Sequence, residues 1–282
     1  MAIIIGDYNR KGGVGKTSSI INLAAEFALC GKKVLLIDGD SQTNLTQFFF
    51  SEDEKLFDGG RIRGNVDTLY QVLQEGIDIR DTIMTKEFSA RRKWRNKFRK
   101  ISCTLDIIMG SREMDYYDNE DMEILKKKLS VLEEDYDYIL IDFPPAHNLV
   151  TMTYLLACDY VIVPLHLAKD TSTYGYEDVI ERCREARNEY GNRNLQVLGL
   201  FYINVQLYKD DQKILYELSM VERMRNAMRL FETTIKHDYG AMQMSESEKK
   251  PLCITSGSSE IARNYKALAK EIEKRIEEER GI

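Results

Sequence analysis

The chain has no C-x-x-C pair, and its five cysteines (Cys30, Cys103, Cys158, Cys183, Cys253) are odd in number and widely spaced. That pattern suggests neither a disulfide framework nor a cysteine zinc site. Of its few histidines, His147 and His166 follow turns or strand ends without a metal-ligand neighbour at useful spacing, so neither is assigned chemistry. No apolar run approaches the roughly 18–20 residues needed to span a bilayer. No signal peptide is read near Met1, because a glycine loop begins within about a dozen residues. A cytoplasmic protein is expected. Cations are not in excess: the net charge is −6. Nucleic-acid binding would therefore need a local basic patch. No repeat or low-complexity linker appears, so residues 1–282 read as one domain. Apolar content of 43% and charged content of 30% are ordinary for a globular chain.

What is present is a phosphate-binding loop. Ile3-Ile4-Ile5 reads as a short buried strand, followed by Arg10-Lys11-Gly12-Gly13-Val14-Gly15-Lys16-Thr17-Ser18 and a helical pattern through Ile20, Leu23, Ala24, Phe27 and Ala28. Strand, glycine loop and helix is the context such a loop requires. Glycines let backbone N–H groups approach a polyphosphate, and the helix points its positive end at it. Gly12, Gly13, Val14, Gly15, Lys16, Thr17 and Ser18 are the candidate nucleotide-binding residues. Lys16 would reach the β and γ phosphates, and the Thr17 hydroxyl would sit on Mg²⁺. The usual first glycine is replaced by Arg10. The match is instead to K-G-G-x-G-K-[ST], with Lys11 as an extra lysine.

Two further strands end in carboxylates. Val34-Leu35-Leu36-Ile37 stops at Asp38-Gly39-Asp40-Ser41-Gln42, and Tyr138-Ile139-Leu140-Ile141 stops at Asp142-Phe143-Pro144-Pro145. Acidic residues at the carboxyl ends of parallel strands lie at the ligand edge of a doubly wound sheet. Asp142 can hold a Mg²⁺-bound water there. Asp40 reads as facing Lys16 across the same crevice, or as capping the next helix. Val197 to Ile203 reads as a strand ending in Asn204, which either pairs with an adenine edge or is a plain turn former. The fold class is α/β, a mostly parallel twisted sheet with helices on both faces.

The remaining elements are read as follows. Residues 51–65 form a surface loop, and Val66 to Gln74 a helix. Asn119 to Glu134 is a helix capped by Asn119. Asp210 to Arg229 is a helix, Phe231 to Ile235 a strand, and Ser259 to Glu279 a helix with Ile261, Tyr265, Leu268, Ile272 and Ile276 on one face. Seven of the ten residues 91–100 are basic and none is acidic. Read as a helix, this stretch puts Trp94, Phe98 and Ile101 on one face. It is either a site for a phosphate backbone or acidic partner, or a solvated face.

The variant loop, the stretch Gly31 to Asn44, Asp137 to Pro145 and the closing Ala262 to Ile272 together resemble the ParA/Soj/MinD family of dimerising ATPases. The resemblance runs from end to end except over about 51–104, and a basic insertion near 89–103 is expected. Ser41 and Thr43 depart from the family's proline and glycine, and Lys236-His237 from its proline and arginine. The resemblance implies a single P-loop ATPase domain using ATP and Mg²⁺. It implies that Asp40 positions the attacking water and joins Thr17 and Asp142 around the metal. Lys11 would reach across a two-fold interface to the partner's ATP, so Lys11, Lys16, Asp40 and Asp142 form the catalytic set. The expected function is a slow partition ATPase. Its ATP-sandwich homodimer would bind DNA non-specifically, on the nucleoid, until a centromere-binding ParB-like partner stimulates hydrolysis. Candidate DNA contacts are Arg91, Arg92, Lys93, Arg95, Lys97, Arg223, Arg225, Arg229, Arg263, Lys266 and Lys270. No helix-turn-helix segment precedes the loop, so operator reading is not expected. The alternatives are a MinD-like membrane ATPase, which the charged tail 274–280 disfavours, and a small-molecule ATP-dependent ligase or kinase of the same superfamily.

Overall fold

Three apolar runs that end in aspartate lie side by side at the centre of the molecule. They are β1 (Ile3–Asp7), β2 (Val34–Asp38) and β7 (Tyr138–Asp142), with β7 between the other two. β2 and β7 are buried along their whole length. Such strands are covered on both faces, so their sequences read as unbroken apolar runs rather than alternating ones. The computed structural model describes residues 1–58, 61–63, 66–94, 97–166, 172–205 and 229–281. The sheet is completed by β5 (Ile83–Trp94), β6 (Lys97–Ile108), β8 (Tyr160–His166) and β9 (Gln196–Ile203). Its order is β5-β6-β2-β7-β1-β8-β9, parallel throughout except for β5, which runs antiparallel to β6. A separate ladder joins β3 (Phe57–Asp58) to β4 (Arg61–Ile62).

Helices cover both faces, as the sequence pattern requires. On one face lie α1 (Lys16–Leu29) and α2 (Asn44–Phe50). On the other are α3 (Ile124–Leu129), α4 (Leu149–Ala157) and α5 (Ser172–Asn188). α6 (Tyr239–Glu248) leads into α7 (Leu252–Thr255) and α8 (Glu260–Arg280), and the last two join α1 on the first face. α8 follows its expected stripe: Ile261, Tyr265, Leu268, Ile272 and Ile276 are all buried. Burying each is worth roughly 1.5–3 kcal/mol. Ser259 caps its start by accepting the Ala262 N–H, and Gly281 ends it in the left-handed region. Arg275 near its end donates to the carbonyl oxygens of Leu198 (3.2 Å), Arg229 (2.7 Å) and Leu230 (2.7 Å) and stacks on Phe231.

Several expectations are corrected. The stretch around 91–100 is not a helix but the outer part of the β5–β6 hairpin, so the helical grouping of Trp94, Phe98 and Ile101 does not hold. Strand pairing outcompetes the helical reading because the register runs unbroken from the sheet outward. Phe231 to Ile235 is not a strand. Isolated bridges, Leu200 with Leu230 and Val205 with Lys236, and an Ile235 N–H bond to the Tyr202 carbonyl tie it to the β9 side without a continuous ladder, and its backbone N–H groups at 232 and 233 go to the Glu271 carboxylate instead. The helix expected from Asn119 is shorter, Ile124–Leu129 with a 3-10 turn at Ser130–Leu132. Asn119 is drawn away from capping it, because its side chain holds the Leu73 carbonyl and the Asp121 N–H. Val66 to Gln74 is helical only from Leu69, and takes π-helical form over Gln71–Glu75. Residues 51–65 contain the β3–β4 ladder. The helix expected over 210–229 lies outside the described residues up to 228. Among the described residues no helix is long and apolar enough to cross a membrane.

Candidate functional site

Parallel registration aligns the three strand-end carboxylates. Asp142 pairs in register with Asp7 on one side and Asp38 on the other. All three are fully buried. Asp38 is held structurally: it accepts the Thr46 N–H (2.8 Å) and hydroxyl (2.5 Å), and the Gly110 N–H in turn donates to that hydroxyl oxygen. Burial still pushes its pKa up to about 6. Asp142 accepts the Thr17 hydroxyl at 2.7 Å through one oxygen, while its other oxygen is buried without a partner. Burial and the neighbouring Asp38 push its pKa well up. Both Asp7 oxygens are buried and unpartnered. Burial and then Asp142 raise its pKa, while the Lys16 ammonium opposes them.

The glycine loop sits over this row. Gly15 stands at φ 84° just before α1, in a conformation that disfavours other residues. A Cβ there would lie 2.5 Å from Ile203. No side chain caps α1, so its first N–H groups are available to an anion. Lys16 is buried and its Nζ reaches back to the Lys11 carbonyl at 3.4 Å. Lys11 is exposed, and its backbone N–H donates to Asn9. Gly39, between Asp38 and Asp40, approaches so closely that a Cβ would meet the Asp142 carbonyl oxygen at 2.7 Å and the Tyr154 ring at 2.4 Å.

Gly12, Gly13, Gly15, Lys16, Thr17, Ser18, Asp40 and Pro145 line one crevice of about 980 Å³. The sequence-predicted groups Lys16, Thr17 and Asp40 therefore share a cavity, and the Thr17–Asp142 bond ties Asp142 to it. Val14 is buried beneath the loop. Asp40 accepts the Gln42 N–H at 2.9 Å; α2 is preceded by Thr43, in the left-handed region, so the capping alternative for Asp40 is not what is seen. Burial raises the Asp40 pKa. Asn204 is exposed at φ 60°, the left-handed conformation that asparagine tolerates as a turn former. It is not among the crevice-lining residues. Magnesium fits this donor set. An orphaned buried carboxylate oxygen on Asp142 stands beside the Thr17 hydroxyl, and Mg²⁺ takes oxygen ligands, usually one or two from protein.

The candidate DNA contacts scatter. Arg91, Arg92, Lys93 and Lys97 fall on β5 and β6. Arg95, Arg223 and Arg225 lie outside the described residues. Arg229 is engaged by Glu279. Arg263 donates to the Ser258 carbonyl, and Lys266 and Lys270 are exposed on α8.

Several residues were not singled out by sequence reasoning. Asn9, 1% exposed, donates to the Pro164 carbonyl and accepts from Lys11, fixing the loop's first turn to β8. Its signal was a polar residue between a strand and a glycine loop. His166 lies against the Gly13 backbone with its pKa lowered by burial and by Lys11. α6 supplies Tyr239, Met242, Gln243, Ser245 and Glu246 to the crevice wall, and its sequence bears no motif. Asp7 had no sequence signal beyond an acid at a strand end.

A family model described as an AAA domain matches residues 2–197. The chromosome-partitioning ATPase Soj of Treponema pallidum (strain Nichols) is 30% identical over 94% of this chain and 94% of its own length. A plasmid partition protein from Borrelia burgdorferi is 24% identical with a TM-score of 0.68, covering 98% of this chain and 100% of that one. Cobyrinic acid a,c-diamide synthase from Mycobacterium smegmatis, solved with an ATP analogue and magnesium, is 18% identical with a TM-score of 0.69, covering 96% and 93%. The two structures share the fold.

Proposed function

Since the chain belongs to the ParA/Soj family of AAA-domain ATPases, we propose that it is a DNA-partition ATPase switched by ATP. The observation that carries the reading is the single crevice in which Lys16, Thr17 and Asp40 converge, with Thr17 tied to Asp142 and Lys11 exposed at the loop's start.

ATP would bind with its phosphates on the N–H groups of the glycine loop and the first turn of α1. Lys16 would leave the Lys11 carbonyl to meet the β and γ phosphates. Thr17 and Asp142 would hold Mg²⁺, with Asp40 close to its waters, and the ion would offset charge on the phosphate oxygens. Asp40 would orient the water that attacks the γ-phosphorus, and Asn9 would keep the loop's turn in place. Preorganised groups of this kind act through position and field rather than through covalent chemistry. Lys11 would complete the site of a second copy across a two-fold interface, so that two ATP molecules are enclosed between two chains. The ATP dimer would bind DNA without sequence preference, and a centromere-bound protein partner would speed hydrolysis and release. The test is Asp40→Ala with ATP and with ADP. Accumulation of a dimer that binds random-sequence duplex more tightly with ATP than with ADP is the expected result. Unchanged turnover, or binding indifferent to nucleotide, would refute the switch.

A further inference from the structure

The chain's densest positive charge is not at the nucleotide edge. β5 and β6 pair without a break from Ile83 opposite Ile108 to Trp94 opposite Lys97. Only Asp106 to Ile108 of β6 also pairs with β2. Residues 97–105 therefore have β5 as their strand partner, and the hairpin continues past the sheet as a two-stranded ribbon. At its base, Phe88 and Cys103 face each other and are buried in the core. Residues 100 to 97 stand six to nine positions beyond Asp106, about 20–30 Å at 3.3–3.4 Å per residue. β6 runs parallel to β2, whose carboxyl end carries Asp38. The ribbon thus leaves from the edge opposite the nucleotide crevice.

Its register is poor for stability. Arg91 stands opposite Lys100 and Arg92 opposite Arg99. Like charges directly opposite destabilise a ladder, and no acidic residue lies within 91–100 to offset them. Folding gives no reason for this arrangement; a polyanion would relieve it. Strand alternation puts Arg91, Lys93, Phe98 and Lys100 on one face and Arg92, Trp94, Lys97 and Arg99 on the other. Each face carries cations and a single aromatic. A bilayer surface would meet one face and favour apolar residues gathered there. The major groove of DNA, about 12 Å wide, admits a two-stranded ribbon between phosphate-lined walls.

We infer that the tip of the β5–β6 ribbon is a duplex-DNA contact that operates without ATP. It rests on the partition reading for its choice of cargo, and differs from it in mechanism. The ribbon belongs to one chain and lies away from Lys16 and Asp142, so it needs neither bound nucleotide nor the dimer.

The experiment uses the full chain, ADP, and a fluorescent random-sequence duplex in a salt series. The wild-type protein should bind, with log K falling linearly against log salt. Arg91→Gln/Lys100→Gln and Arg92→Gln/Arg99→Gln should each reduce the slope by about two. Each should weaken ADP-state binding by about tenfold or more. Thermal midpoints should be unchanged or raised, because repulsion is removed. Wild-type affinity and slope in the quadruple variant would overturn the inference. So would absence of ADP-state binding, or preference of the wild-type protein for phosphatidylserine-containing vesicles over duplex. The partition switch is read separately as the gain of ATP over ADP. Loss of that gain with ADP-state binding intact sinks the switch and leaves the ribbon standing; the reverse pattern does the opposite.

Discussion

Lys16 and Lys11 sit five positions apart in different surroundings. Lys16 is buried beneath the loop, whereas Lys11 is exposed at its start. Lys16→Ala should abolish ATP binding, read by calorimetry. Lys11→Ala should retain ATP binding but stay monomeric in light scattering; a dimer formed by that variant would remove the cross-interface role. The buried acids give a pH prediction. Asp38 has a folded pKa of about 6 against an ordinary value of 3.8, so the folded state holds its proton longer than the unfolded chain. Stability contributed by the protonated form is present below the unfolded pKa and declines as pH rises to about 6. A shift of about two units corresponds to a loss on the order of 3 kcal/mol. Asp7 and Asp142 are shifted in the same direction and extend the decline to higher pH. Urea midpoints of the ligand-free protein should therefore fall between pH 4 and 6. Asp38→Asn should flatten that slope; an unchanged slope would count against the assignment. The residues proposed to carry phosphate chemistry were legible because the loop spacing, Asp40 and Asp142 sit in short motifs. Asn9 and Asp7 were not, since what matters about them is depth and neighbours from β8 and β7.

At the scale of elements, the strands β1, β2 and β7 and the helix α8 were readable from apolar pattern alone. Those elements are long or buried on both faces, and local pattern and tertiary demand agree there. The reading failed where the two part. The 91–100 segment has helical spacing of aromatics but takes its conformation from pairing with the rest of the hairpin. Residues 230–236 look like a strand yet no continuous ladder joins them to β9. What holds that region is Arg275, whose guanidinium serves three carbonyl groups and a ring. Arg275→Met keeps the aliphatic stem and removes every donor. It should cost about 2 kcal/mol, since the carbonyls it serves lose their partner. Urea unfolding checks this, and a loss within experimental scatter would mean that water replaces the arginine.

The whole molecule, of net charge −6, combines an acidic body with one strongly basic arm. Its nucleotide edge also stores repulsion, because Asp7, Asp142 and Asp38 stand in one row across three strands. Magnesium and ATP should therefore raise the thermal midpoint of the wild-type protein together. By mass action the gain is about 2.7 kcal/mol at a hundredfold excess over Kd. Lys16→Ala should show no such gain, and an equal rise in that variant would place the ligand elsewhere. The hairpin's unbroken register has a consequence for inheritance. In an antiparallel ladder without bulges, residues can be lost or gained at the tip in facing pairs while every pairing below them stays as it was. The arm's reach is thus a length that insertions and deletions can tune step by step, with the ATPase body that bears it left untouched.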